Sequence, residues 1–70
     1  MLVRILEKYR DGRNKIVGFR IMYEDGYKED IETEDLIQSV KNNRMTLVNA
    51  YLSESGKIVT NKPVNIIRVV

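Results

Sequence analysis

The chain has 70 residues, of which 43 % are hydrophobic, 31 % charged and 7 % aromatic. That is enough for a single domain over residues 1–70 and too little for two. It has no Cys and no His, which excludes disulfides, thiolate nucleophiles, Cys- or His-based metal sites and the usual general base near neutral pH. The formal net charge of +2 conceals segregation: residues 1–23 carry six cations against two carboxylates, residues 24–35 one against seven, and residues 36–70 five against one. Such asymmetry bears on partners rather than on fold.

Residues 2–10 alternate with period two, Val3, Ile5 and Tyr9 on one parity and Leu2, Arg4, Leu6, Lys8 and Arg10 on the other, as a strand does. Asp11-Gly12-Arg13-Asn14 is a turn. A second strand runs over 15–23, with Val17, Phe19, Ile21 and Tyr23 on one face. Glu24-Asp25-Gly26 turns again, and a short third strand follows over 27–31. Thr33 then reads as the N-cap of a short helix, with Glu34 and Asp35 in its first turn and Leu36, Ile37 and Val40 as its buried stripe. Asn42-Asn43 stops it, since Asn tolerates the left-handed conformation. Residues 46–52 read as a strand, 53–56 as a turn and 57–60 as a returning strand. Pro63 breaks the pattern before a β-branched segment over 64–70. The expectation is an α+β fold: a small, mostly antiparallel sheet with one helix, in the order βββαββ with a possible sixth strand.

No run approaches 18 apolar residues, so no membrane span is expected. The opening MLVRILEKYR has charges scattered through it and no small-residue cleavage site, unlike a signal peptide. With no Cys in so small a domain, a cytoplasmic protein is expected.

Catalysis finds little to work with. The serines have no His to activate them, the isolated glycines form no phosphate loop, and no lysine stands in an apolar setting. The acidic stretch 24–35 lacks the alternate-position oxygen pattern of a calcium loop, and reads as a hairpin tip plus a helix start. No catalytic, cofactor or metal residue is assigned, and with thin margin for a pocket no small-molecule substrate is expected.

Two surfaces invite partners. If Val17, Phe19 and Ile21 face the helix, the outer face of the first hairpin mixes basic and apolar side chains, which a fully solvated face would not. The strand at 64–70 is too β-branched to be left as a bare edge; it should be internal or pair with another chain. Leu2, Leu6, Ile16, Met22, Ile66 and Val70 are therefore the candidate protein-interface residues, for a homo-oligomer or a partner protein. The alternative is weak, salt-dependent nucleic-acid binding by Arg4, Lys8, Arg10 and Arg20 on phosphates, against which the face offers no aromatic platform for bases. The bland alternative is the scatter of exposed apolar residues that every small protein carries.

The run Lys15-Ile16-Val17-Gly18-Phe19-Arg20-Ile21, the acidic Gly turn, the stretch from Asp30-Ile31 to Leu36, and Leu47 to Leu52 followed by Ser53-Glu54-Ser55-Gly56-Lys57-Ile58 resemble small uncharacterised proteins of prophages and conjugative elements in low-GC Gram-positive bacteria. The resemblance covers residues 15–59. It implies an accessory protein of a mobile element and carries over no activity and no site. The function expected from the sequence is thus a non-enzymatic interaction domain, acting through the outer face of the first hairpin or through the last strand.

Overall fold

Two side-chain-braced turns fold the first half of the chain back on itself. Asp11 Oδ1 accepts from the Arg13 and Lys15 amides at 2.9 and 3.0 Å, and Asn14 takes a left-handed φ of 65°. Asp25 Oδ1 accepts from the Tyr27 amide at 2.9 Å, and Gly26 supplies the φ of 90° that this turn requires. In the computed structural model, which describes residues 1–69, these turns join β1 (Leu2–Arg10), β2 (Ile16–Tyr23) and β3 (Lys28–Glu32) into an antiparallel meander. There follow α1 (Thr33–Lys41), β4 (Thr46–Leu47), β5 (Ala50–Leu52), β6 (Ile58–Thr60) and β7 (Asn65–Arg68). The α+β class with one helix and a mostly antiparallel sheet is as the sequence indicates.

The helix begins one residue earlier than its cap chemistry suggests. Glu32 is the N-cap and makes no side-chain cap bond. Thr33 is the first helical residue, not the N-cap, and its hydroxyl donates to the Ile16 carbonyl at 3.2 Å rather than accepting from the helix N–H groups as a cap would. Strand β3 therefore runs into α1 without a linker, because Glu32 is still paired with Gly18 of β2. At the other end the Asn42 amide returns to the Gln38 carbonyl, and Asn43 takes φ 60°.

The segment 46–52 is not one strand. β4 pairs parallel with the start of β1, the chain breaks direction at Val48-Asn49, and β5 pairs antiparallel with β6 in a separate two-stranded ribbon. β7 then returns to β1, again parallel, matching Glu7 to Arg10 with Asn65 to Arg68. Both β4 and β7 thus lie along the same edge of β1, and β7 is an edge strand rather than an internal one. Between them Asn49 stands in for a strand residue. Its Oδ1 accepts from the Ile5 amide at 2.9 Å and its Nδ2 donates to the Ile5 carbonyl at 2.8 Å.

One face of the sheet is covered by α1 and the β5–β6 ribbon. The core is Val3 and Ile5 from β1, Phe19 and Ile21 from β2, Leu36 from α1, and Ala50 and Ile58 from the ribbon. Ile16, Ile37, Val40 and Leu47 pack half-buried against it. Each fully buried side chain of this size contributes about 1.5–3 kcal/mol relative to exposure. Among the described residues no helix is long and apolar enough to cross a membrane.

Candidate functional site

Strand parity assigns every candidate side chain to a face, and β1 changes parity part-way. The register runs Val3 to Tyr23, Arg4 to Met22 and Ile5 to Ile21, then skips to Glu7 opposite Arg20. Leu6 is the extra residue of a β-bulge. Beyond it Lys8 lies opposite Phe19 and Tyr9 opposite Gly18, the reverse of an unbroken alternation. A second irregularity leaves Val17 unmatched, so that Arg10 meets Ile16.

The expected outer face is therefore divided. Arg4 and Arg20 lie on the outer side, and Lys8 and Arg10 lie on the helix side with Phe19 and Ile16. Tyr9 and Val17, which alternation assigns to the core, lie outside. They line a shallow outer pocket with Asp30 and Val69.

What occupies the outer side is a polar network. Tyr9 crosses Gly18 and its hydroxyl donates to Asp30 Oδ1 at 2.7 Å. Gly18 is required there: a Cβ would stand 2.9 Å from the Ile31 carbonyl oxygen and 3.7 Å from the Tyr9 ring. Arg20 Nη1 reaches the same Asp30 oxygen at 3.4 Å, an exposed ion pair that solvent screens and that adds little to stability. The Asp30 hydrogen bond raises the Tyr9 phenol above its usual pKa, reinforced by slight burial and opposed by Arg20. Tyr23, stacked on Tyr27 with ring centroids 5.9 Å apart, is raised chiefly by burial and then by Glu29.

The candidate interface residues separate in the same way. Leu2 and Met22 do come together, around a pocket of about 200 Å³ shared with Arg4 and Val48. Ile16 is drawn under the helix and packs against the core. Leu6 is held at the bulge, half-buried. Ile66 is 54 % exposed on β7, opposite Lys8 and so on the helix side. Val70 lies outside the described residues. The sequence reading left out Ile67 and Val69, 36 % and 37 % exposed, although they belong to the same β-branched run as Ile66. No carboxylate cluster placed to hold a metal ion occurs among the described residues; the acids of 24–35 spread over a turn, an edge strand and a helix start.

No protein-family model matches the chain, and no curated protein or solved structure matches it significantly.

Proposed function

We propose that this chain is a non-enzymatic interaction domain that self-associates by pairing β7 with β7 of a second copy. The observation that carries this reading is the contrast between the two sheet edges. β3 presents Lys28, Glu29, Asp30 and Glu32, the charge protection that keeps an edge from pairing. β7 has Ile66 and Ile67 exposed, with Val69 exposed just after it and Arg68 as its single charge, and one side of it is taken by β1.

The chemistry of the strand suits antiparallel pairing about a two-fold axis. Such an axis normal to the sheet matches residues of like parity. Centred on Ile67, it sets Ile67 against its copy and Arg68 against Ile66, so that no like charges oppose each other. The nucleic-acid reading needs Arg4, Lys8, Arg10 and Arg20 on one face, and the register separates them two and two. The resemblance of residues 15–59 to mobile-element proteins supports an accessory role for the assembly.

The test is Ile67→Lys. In the paired arrangement two lysines would face each other at the centre of the interface, and association should weaken at least about tenfold under the penalty for opposed like charges in an otherwise unbroken ladder. In the free protein Ile67 is already exposed, so the circular dichroism spectrum and melting point should barely change. A variant that sediments like the wild type contradicts the reading.

A further inference from the structure

On the helix side of the sheet, β1, β2, the start of α1 and the β5–β6 turn enclose a cavity of about 500 Å³. That is within the roughly 300–1,000 Å³ range of small-molecule sites, and larger than so short a chain leads one to expect. Its four cations come from three separate places in the sequence. The bulge at Leu6 turns Lys8 and Arg10 to this side, the first turn adds Lys15, and the ribbon turn adds Lys57. No carboxylate lines it. Among the described residues the one ion pair, Arg20 with Asp30, lies on the opposite face. Arg10 Nη1 donates to the Asn14 carbonyl at 2.7 Å, which fixes the guanidinium and leaves its other donors for a ligand. The apolar lining is Ile16, Phe19, Ile37 and Ile58.

Four like charges around a partly enclosed apolar pocket repel one another, and the arrangement raises the local concentration of anions. An arginine fork among lysines suits the oxygens of a phosphate, and the isoleucines and Phe19 suit an apolar body. We propose that this cavity binds a small organic phosphate monoester with an aromatic or aliphatic body. The phosphate lies among Lys8, Arg10, Lys15 and Lys57, and the body lies against Phe19 and the three isoleucines. The site is independent of β7 pairing, which uses the free edge of the sheet.

Methyl NMR with naphthyl phosphate as the probe tests this, with inorganic phosphate and neutral naphthol as companion titrations. The expected result is saturable shifts at the Ile16, Ile37 and Ile58 methyls, with affinity at least about tenfold above either companion, since losing a charge-assisted contact or the apolar body forfeits that much. The double variant Lys8→Glu/Lys57→Glu should lose about tenfold or more with the core methyl spectrum intact. If that variant does not fold, Lys57→Gln, which changes one exposed turn residue, should still weaken binding several-fold. Absent or non-saturable shifts at those methyls, equal affinity for phosphate or naphthol alone, or charge variants that bind like the wild type would each overturn the proposal. So would a single-stranded oligonucleotide that binds there more tightly than naphthyl phosphate.

Discussion

Asn49 fills the gap between β4 and β7 along β1, and both polar ends of its side chain bond to Ile5. Ile5 is fully buried, so removing the amide leaves an amide N–H and a carbonyl without partners in the core layer. Asn49→Ala should cost about 1–3 kcal/mol and lower the melting midpoint by roughly 5–15 °C. Asn49→Asp keeps the acceptor for the Ile5 amide but points a second acceptor at the Ile5 carbonyl, so it should not restore the wild-type midpoint; an unchanged midpoint in thermal denaturation contradicts this role. Tyr9 makes a prediction of a different kind. Its phenol is raised, so the fold favours the neutral form. The stability this contributes is complete below the unfolded value of about 10 and is lost as pH rises through the higher folded value. Tyrosinate absorbance should therefore place Tyr9 late, as the signal missing from Tyr9→Phe. In Asp30→Asn, where the carboxylate is gone and Arg20 remains, it should move to lower pH. A titration that is the same in Asp30→Asn contradicts the network. Neither role was legible beforehand. Asn49 reads as one more strand residue, and Tyr9 sits on the parity of Val3 and Ile5 until the bulge is known.

At the scale of elements, local chemistry was readable wherever it governs the chain. The turns at 11–14, 24–26 and 53–56 are set by Asp or Ser oxygens accepting backbone N–H groups, with Asn14, Gly26 and Gly56 supplying positive φ. Asn43 ends the helix by the same tolerance. Thr33 departs from its cap role because the β3 pairing carries through Glu32, which becomes the N-cap, and leaves Thr33 inside the first turn with its hydroxyl donating to the Ile16 carbonyl. The helix has nine residues, fewer than the roughly 12–15 that an isolated helix needs, so it depends on what it packs against. Leu36 is its one fully buried residue. Leu36→Ala should cost about 2–5 kcal/mol, comparable to the whole stability of a domain this small. Urea denaturation should show most of the cooperative transition lost; a variant with the wild-type midpoint would mean that α1 is not anchored there.

For the molecule as a whole, what escaped the sequence is non-local. The parallel pairings bring residues 46–47 and 65–68 back to β1 across most of the chain, and no turn signal marks either. One bulged residue, Leu6, then decides which basic side chains share a face. A single insertion in a strand exchanges inside for outside beyond it. That moved Lys8 and Arg10 from the outer hairpin surface to the cavity beneath the helix, and left the outer surface to Tyr9, Arg20 and Asp30. The exposed β-branched edge, by contrast, was visible as composition, and the proposed pairing gives it a use. Molar mass by light scattering on a sizing column, at several protein concentrations and two salt concentrations, tests that use most directly. Main-chain pairing of β7 with β7 predicts a species of twice 8.2 kDa that forms with increasing concentration and is indifferent to salt. A mass of 8.2 kDa throughout, or a dimer that salt dissociates, would contradict it.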